Sequence, residues 1–284
     1  MSNNPGDTGK KWALQCTGVA LETVNKHSAD EEITLFASAY CPFVQRAWSA
    51  IEFLEVPYKV YEVDAYAKPK PAELLEVSPK GLVPGLKLKN NGSPLGLNES
   101  TVLVEYFESV AELTTKKTLL PPVSTPYARA LVRLQADHVS RSIVPTFYRY
   151  LQAQDLDAQI QGYKDFSESI ASLLDLLERY EKEVPEVPKT GGGLYREGGE
   201  LNLLDVYVAP WIYRAKLVLA YYRGYQMPSG TKFNKWTERL FAHPAFASTC
   251  STDDVYIDSY ERYAFNRPNN SQMADAINSG RALP

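Results

Sequence analysis

Residues 38–48, "SAYCPFVQRAW", place a cysteine directly before a proline, where a predicted strand gives way to a predicted helix. The preceding residues, "EEITLFAS" (31–38), alternate polar and apolar side chains, which is typical of a strand. The following residues carry apolar side chains at helical spacing as far as Leu54. Pro42 falls at the first helical position, where its missing N–H costs nothing. Cys41 is therefore expected at the start of a helix.

A cysteine at a helix start feels the partial positive charge and the free N–H groups of that terminus. Such a place can lower the pKa of a thiol and favour the attacking thiolate. The alternative is a small buried hydrophobic residue, because free cysteines often fill cores. Position 44 is a valine, so Cys41 has no resolving cysteine nearby. If it forms a mixed disulfide, an outside thiol must release it, and glutathione is the natural candidate in the cytosol.

Length and composition limit the classes of function. A chain of 284 residues favours two domains. The net charge of −4 argues against binding to nucleic acid or to an anionic membrane surface. No apolar run approaches the length of a membrane span, and the start lacks the apolar core of a secretory signal. A cytoplasmic protein with reduced thiols is expected.

Metal and disulfide chemistry are not indicated. The cysteines are widely separated and odd in number, without a CxxC pair, and the histidines show no ligand spacing. Each histidine is expected to be a surface or packing residue. The residues concerned are Cys16, Cys41, Cys250, His27, His138 and His243.

The first part of the chain predicts a small α/β sandwich. After the helix, "YKVYEVD" (58–64) indicates a second strand, parallel to the first if the helix is a crossover. A short helix, "PAELLEVS", comes next. "GLVPGLKLKNNGSPLGLNES" predicts a hairpin with an Asn-Gly turn at residues 91–92, and a further helix follows. The element order is β-α-β-α-β-β-α.

The second part predicts helices alone. Apolar residues recur at helical spacing in segments 127–152, 163–184, 203–224 and 234–247. The third segment should begin at Asn202 as N-cap with Asp205 three residues on, and with Leu201 and Val206 as a hydrophobic staple. The final stretch, "RPNNSQMADAINSGRALP", is polar and expected to be an extended tail. The expected organisation is an N-terminal extension (1–31, partly disordered and partly docked), an α/β domain (32–113), a linker (114–126), an all-helical domain (127–250) and a C-terminal extension (251–284).

Two further motifs are expected near Cys41. Pro84 in "GLVPGL" (81–86) precedes a hairpin strand, and a cis Val83–Pro84 bond would turn the backbone groups of Val83 toward a ligand that pairs as an added strand. At a second helix start, Ser100 offers its N–H and hydroxyl to a carboxylate, and Glu99 can accept from an ammonium group. Each residue alone also fits a plain turn or cap. Their combination points to a binding site.

These motifs carry a resemblance to a known family. "CPFVQR" (41–46), followed by "GLVPGL" and "NES" (98–100), resembles the cytosolic glutathione transferases, in particular the omega class with the plant lambda class close to it. The resemblance covers about residues 32–250. It implies a thioredoxin-like N-terminal domain, an all-α C-terminal domain, and glutathione as co-substrate without a metal. The terminal extensions fall outside the shared pattern, and their lengths suit a fungal omega-type variant.

The resemblance also implies roles for particular residues. Cys41 corresponds to the catalytic cysteine, and Phe43 would pack beside glutathione. Lys70, with Lys68 as an alternative, would meet the glycine carboxylate. The remaining contacts are the backbone of Val83 beside Pro84 for the cysteinyl part, and Glu99 with Ser100 for the γ-glutamyl end. A slightly longer hairpin than the family's is the main departure.

A second substrate is expected in a cleft between the two domains, as in this family. Aromatic residues at helical spacing more often form a core than a ligand wall, but the 19 tyrosines exceed the needs of a core. The predicted pocket residues are Phe147, Tyr148, Trp211 and Tyr222.

The expected function is that of an omega-type glutathione transferase acting as a thiol transferase and reductase, with dehydroascorbate reduction implied by the resemblance. The alternative is a ligandin-like carrier of hydrophobic or aromatic small molecules. Expected partners are glutathione, its conjugates and such small molecules. A homodimer is the family's usual state.

Overall fold

A computed structural model describes residues 6–90, 93–186 and 190–283. Within these ranges the first part is an α/β sandwich on a sheet with the strand order β2-β1-β3-β4. β1 and β2 are parallel, whereas β3 pairs antiparallel with both β1 and β4. The elements are α1 (Gly18–Lys26), β1 (Ile33–Ala37), α2 (Pro42–Leu54), β2 (Lys59–Glu62), α3 (Ala72–Val77), β3 (Gly85–Leu88), β4 (Leu95–Asn98) and α4 (Ser100–Leu113).

The second part consists of helices within the described ranges. They are α5 (Pro126–His138), α6 (Val144–Gln152), α7 (Leu156–Glu183), α8 (Leu203–Arg214), α9 (Ala220–Arg223), α10 (Thr231–Ala242), α11 (Pro244–Ala247), α12 (Asp253–Ala264) and α13 (Gln272–Asn278). The predicted fold class, a thioredoxin-like domain followed by an all-α region, is confirmed. The expected Asn-Gly turn at 91–92 lies outside the described residues. None of the helices described is long and apolar enough to cross a bilayer.

α2, the helix that follows β1, packs against both parts of the molecule. α2 carries apolar residues on several sides, and its Ala47, Trp48 and Ile51 are almost completely buried. It packs against α4 within the sandwich and against α8 of the helical part. Its N-terminus, with Cys41, is therefore held between the two parts of the molecule.

The helix bounds differ from the predicted ones where caps or prolines intervene. The predicted helix 127–152 contains a wide π turn, Val139–Ile143, just before Pro145, a residue that has no N–H to donate. The predicted helix 163–184 begins earlier, because the Asp155 side chain accepts from Ala158 N at 2.8 Å and caps it. The predicted helix 234–247 is divided at His243, before Pro244.

The expectation of an extended C-terminal tail is wrong. Residues 272–278 form α13, which begins where Ser271 Oγ accepts from Ala274 N at 3.0 Å. Ala274 and Ala276 bury its small apolar side. The segment is polar in composition, so its sequence did not indicate a helix. The two small alanine side chains are enough to pack α13 against the rest of the protein. The N-terminal segment docks as well: Cys16 is buried, and the backbone N–H of Thr8 donates to the Glu261 carboxylate at 3.0 Å.

The predicted start of α8 is confirmed in detail. Asn202 Oδ1 accepts from Asp205 N at 3.1 Å, and Asp205 Oδ2 accepts in return from Asn202 N at 3.1 Å. Both residues of the predicted staple, Leu201 and Val206, are buried. The Asp205 carboxylate also accepts from Leu194 N at 2.8 Å and from Trp236 Nε1 at 3.0 Å. This one buried group therefore joins α8 to the preceding loop and to α10.

We expect Asp205→Asn to lower the free energy of unfolding by about 2–4 kcal/mol, because the amide accepts with only one oxygen and turns its NH₂ toward buried N–H donors. Urea denaturation measures the difference. Asp254→Asn, at an exposed site in the first turn of α12, is the matched control and should change stability by about 0.5 kcal/mol or less. A loss no larger than this control would contradict the assigned role of Asp205.

Candidate active site

A cleft of about 740 Å³ opens at the N-terminus of α2. Its walls come from the α/β sandwich, from α6 and α12 of the helical part, and from both terminal segments. All the residues predicted to contact glutathione line it, namely Cys41, Phe43, Lys70, Val83, Pro84, Glu99 and Ser100. The three motifs around Cys41, Val83 and Ser100 thus surround one space.

Cys41 is the N-cap residue of α2 and is partly buried. Its backbone leaves the helix with φ −80° and ψ 120°, and its carbonyl oxygen accepts the first helical bond from Gln45 N at 3.1 Å. Pro42 takes the first helical position, as the sequence predicts. The thiol lies in the cleft wall, with Sγ 3.8 Å from the carbonyl oxygen of Val83.

Opposing influences act on the Cys41 thiol. Burial raises its pKa, and this is the largest contribution. The backbone N–H groups of Val44 and Phe43, followed by the guanidinium groups of Arg214 and Arg46, act to lower it. Desolvation prevails, so the pKa of the Cys41 thiol is raised. The expected lowering of the Cys41 pKa by the helix terminus is therefore outweighed by the burial of the sulfur.

Two buried arginines lie beneath the cysteine without a carboxylate partner among the described residues. Arg214 donates from Nη2 to the carbonyl oxygen of Tyr40 at 3.0 Å and from Nη1 to Gln45 Oε1 at 2.7 Å. Arg46 donates to Ser100 Oγ at 3.3 Å, and its guanidinium lies 4.4 Å from the centre of the Tyr207 ring. Both side chains are almost fully buried. They leave this side of the cleft positively charged.

The loop before β3 presents backbone groups to the cleft. The Val83–Pro84 bond is cis, as expected, and the bond before Pro69 is cis as well. The carbonyl oxygen of Val83 faces the Cys41 thiol. Within the described part of the chain, the N–H of Val83 makes no hydrogen bond. It is therefore available to a ligand in extended conformation.

The start of α4 forms another wall. Glu99 has φ 72°, in the left-handed region that is unfavourable for residues other than glycine, and its exposed side chain makes no ion pair with any described residue. Ser100 begins the helix and is buried, and its hydroxyl accepts from Arg46. A strained residue beside a free helix N–H and a charged donor is an arrangement suited to a charged ligand group.

Lysines line the cleft near α3. Lys70 Nζ donates to the carbonyl oxygen of Ala65, and partial burial lowers the pKa of this lysine. Gly81, with φ 62°, lets the Lys70 side chain lie against its backbone, because a Cβ there would come within 2.9 Å of Lys70 Cγ. Lys68, the alternative predicted contact, also lines the cleft and is exposed.

The predicted aromatic pocket needs correction. Only Tyr148 of its four residues lines the cleft. Phe147 and Trp211 are completely buried, and Trp211 supports Phe43 from below, with ring centres 5.1 Å apart. Tyr222 donates to the carbonyl oxygen of Ile257 at 2.8 Å, away from the cleft. Aromatic residues at helical spacing here fill the interface between helices.

The terminal segments contribute lining residues that the sequence motifs did not indicate. α12 supplies Tyr260, Arg262 and Tyr263, and the N-terminal segment supplies Trp12. The signal was present in "VYIDSYERYAF" (255–265), whose tyrosines recur at helical spacing, but this stretch lay in the region set aside as an extension. The other contributors are Asn269, Asn270, Ser271, Gln272, Met273, Asp275 and Leu283.

The remaining candidate ligands lie elsewhere. His27, His138 and His243 do not line the cleft. In the part of the chain that the structure describes, no group of three or more His, Cys, Asp or Glu side chains is arranged to hold a metal ion. Burial raises the pKa of Cys16 strongly and that of Cys250 to about 12, so neither is poised as a nucleophile.

Comparisons with known proteins agree with this architecture. The family model described as "Glutathione S-transferase, N-terminal domain" matches residues 40–110. Glutathione transferase Omega 3C from Trametes versicolor is 33% identical, with a TM-score of 0.72 over 89% of this chain and 98% of that chain. The Arabidopsis thaliana protein "Glutathione S-transferase DHAR3, chloroplastic" is 27% identical over 256 residues, 89% of this chain and 85% of the relative.

A Chlamydomonas reinhardtii dehydroascorbate reductase is similar in fold, with 23% identity and a TM-score of 0.62 over 83% of this chain and 100% of that chain. The likeness to the Trametes protein is the more informative, because it combines 33% identity with nearly the full length of the relative. The chain therefore belongs to the glutathione transferase family, among the members of omega and DHAR type.

Proposed function

We propose that this protein is a glutathione-dependent thiol transferase and reductase of omega type, with Cys41 as its catalytic cysteine. One observation carries the proposal: the cleft holds a partly buried cysteine at a helix N-terminus together with the full set of residues expected to bind glutathione. A cysteine at this place suits disulfide chemistry, since a thiolate attacks disulfide sulfur readily.

Glutathione is proposed to lie extended along the cleft. Its cysteinyl part would pair with the backbone of Val83 beside Pro84, whose N–H is free and whose carbonyl oxygen faces Cys41. The γ-glutamyl end would bind Ser100 and Glu99 at the start of α4. Phe43 would pack beside the peptide, and Lys70 would meet the glycine carboxylate.

The chemistry is a pair of thiol–disulfide exchanges. The Cys41 thiolate attacks the glutathionyl sulfur of a mixed disulfide, so that a new sulfur–sulfur bond forms and the other thiolate leaves. A second glutathione thiolate then attacks the glutathionyl sulfur on Cys41. Oxidised glutathione departs and the Cys41 thiolate is restored. Each step conserves the number of disulfide bonds, so no further oxidant or reductant is needed.

The buried arginines are proposed to make this exchange possible. Because desolvation raises the pKa of Cys41, the thiolate needs compensating positive charge when it forms as attacking or leaving group. Arg214 and Arg46 supply it from fixed positions. Arg214 also holds the turn that carries Cys41, through its bond to the carbonyl oxygen of Tyr40. Both arginines are positioning residues in this scheme.

The second substrate is proposed to bind against the aromatic wall. Tyr148, Tyr260 and Tyr263 line the cleft, and the Tyr260 and Tyr263 ring centres are 5.6 Å apart. Tyrosine rings give an apolar surface with polar edges, which suits aromatic glutathione conjugates and small oxygen-rich molecules alike. The likeness to a dehydroascorbate reductase supports dehydroascorbate as a further candidate oxidant.

A second candidate function is carriage of hydrophobic or aromatic small molecules in the same cleft. The volume of about 740 Å³ and the aromatic lining favour it. Carriage would not depend on the Cys41 sulfur, whereas the exchange chemistry does.

We further propose a cytoplasmic setting, where glutathione keeps thiols reduced, and a homodimer, which light scattering of the purified protein would reveal as twice the chain mass.

We expect wild-type protein incubated with oxidised glutathione to gain one glutathionyl group, on Cys41. Cys41→Ser should gain none and should lose mixed-disulfide and phenacyl-glutathione reduction, while its glutathione affinity stays close to that of the wild type, because the proposed binding contacts remain. Intact-protein mass spectrometry and a disulfide-reduction assay measure the two results.

Cys250→Ser is the matched control, because Cys250 is also partly buried but lies outside the cleft. It should keep both the modification and the activity. Activity retained by Cys41→Ser, or modification that persists at Cys16 or Cys250, would show that the chemistry has been assigned to the wrong cysteine.

We expect Arg214→Met to raise the pH midpoint of Cys41 alkylation, because the variant removes a buried positive charge that favours the thiolate. Arg214→Lys keeps the charge and should stay closer to the wild type. Iodoacetamide labelling of Cys41, followed against pH by peptide mass spectrometry, measures the midpoints.

Lys216→Met is the control, since it removes an exposed positive charge two residues farther along the chain. Its midpoint should equal that of the wild type. If Arg214→Met leaves the midpoint unchanged in a folded protein, the arginine does not stabilise the thiolate.

A further inference from the structure

Arg262 is an unusual residue in the cleft wall. It lies on α12, and only 8% of its surface is exposed. Its guanidinium carbon is 4.5 Å from the centre of the Trp12 ring and 4.0 Å from that of Tyr66. These two aromatic residues also line the cleft. The positive charge is therefore held in place beside the ligand space.

The hydrogen bonds of Arg262 leave one nitrogen unused. Nε and Nη2 donate to the side-chain and backbone oxygens of Asn270, and Asn270 Nδ2 donates back to the carbonyl oxygen of Arg262 at 3.0 Å. Nη1 is buried and has no hydrogen-bond partner among the described residues. A buried donor without an acceptor costs free energy, and more so when it is charged. The arrangement lacks an acceptor at Nη1.

No carboxylate of the described residues forms an ion pair with Arg262. Glu261, its neighbour in sequence, pairs with Arg267 and binds Thr8. Asp64 accepts from Trp12 Nε1 at 2.9 Å and from Tyr66 N at 2.9 Å, both through Oδ1, and it forms no ion pair with Arg262 in the described part of the chain. The charge of Arg262 thus remains available for an anion that enters the cleft.

Arg262 shares this region with the predicted glycine-binding lysine. Partial burial lowers the pKa of Lys70 most; the Asp64 carboxylate acts to raise it, and the positive charges of Lys68 and Arg262 act to lower it further. The side chains of Lys68, Lys70 and Arg262 all line the same cleft. Three cations that line one wall recognise a carboxylate better than any of them alone.

We infer that Arg262 is a second cationic ligand of the glycine carboxylate of glutathione, which it binds through Nη1 together with Lys70. This inference rests on the proposed function, because it takes the bound molecule to be glutathione or a glutathione conjugate. Trp12 and Asn270 then act as positioning residues that hold the guanidinium at the wall. The terminal segments are part of the glutathione site and confer selectivity for a ligand with a free carboxylate at its glycine end.

The test compares glutathione with its glycyl monoethyl ester, which lacks that carboxylate. Binding is measured by calorimetry in a Cys41→Ser background, where no disulfide can form. We expect the ester to bind at least about tenfold more weakly than glutathione, since a charge-assisted hydrogen bond contributes that much or more. Arg262→Gln, whose amide can still donate to Asn270, should lose affinity for glutathione but not for the ester.

Lys70→Met keeps the test decisive even if Arg262→Gln folds poorly, because it leaves Arg262 and its contacts unchanged. It should retain a clear preference for glutathione over the ester, and the double variant Lys70→Met with Arg262→Gln should lose it. Lys164→Met, which removes an exposed lysine of α7 outside the cleft, is the control and should behave as the wild type. If Lys70→Met alone abolishes the preference, or if Arg262→Gln weakens both ligands equally, the inference is overturned.

The proposed function can fail separately. If wild-type Cys41 takes up no glutathionyl group from oxidised glutathione, the exchange chemistry is wrong, whatever the affinities for the ester. Cys41 could instead be modified while Lys70→Met alone abolishes the preference for glutathione, or while Arg262→Gln weakens both ligands equally. In that case the exchange chemistry stands and only the role of Arg262 is wrong.

Discussion

The site depends on the hydrogen bond from Arg214 Nη2 to the carbonyl oxygen of Tyr40, at 3.0 Å. Tyr40 precedes Cys41, and Arg214 ends α8, so this bond fixes the strand–helix turn of one part of the chain against a helix of the other. The same guanidinium binds Gln45 one turn into α2. A buried cation is costly without an anion, and here the compensation comes from carbonyl and amide oxygens and from the rings of Tyr256 and Tyr260. The arrangement leaves net positive charge where a thiolate must form.

The α/β part was accessible from the sequence because its signals are local. A proline at the first helical position, alternating strands and a hairpin pattern determine where Cys41, Val83 and Ser100 stand along the chain, and the sheet topology brings them together. The start of α8 was predictable for the same reason, since a capping box spans only the four residues from Asn202 to Asp205. Such short-range features depend little on the rest of the fold.

The other walls of the cleft were not accessible, because they depend on contacts between distant residues. The stacking of Arg262 on Trp12 joins positions 250 residues apart, and nothing in the local sequence around either residue indicates it. α13 was not predicted because its buried residues are alanines in a polar segment, which gives no apolar periodicity. The burial of Phe147 and Trp211 follows from how the helices cross, which periodicity alone does not reveal. The pKa of Cys41 likewise depends on the packing around the sulfur.

In the proposed site, both halves of the chain and both terminal segments surround one glutathione molecule, with Cys41 at the centre. A crystal structure of the protein after reaction with oxidised glutathione tests it most directly. We expect a disulfide between Cys41 and glutathione, with the γ-glutamyl end at Glu99 and Ser100 and the glycine carboxylate between Lys70 and Arg262. Glutathione attached to another cysteine, or bound with its glycine end away from both cations, would contradict it.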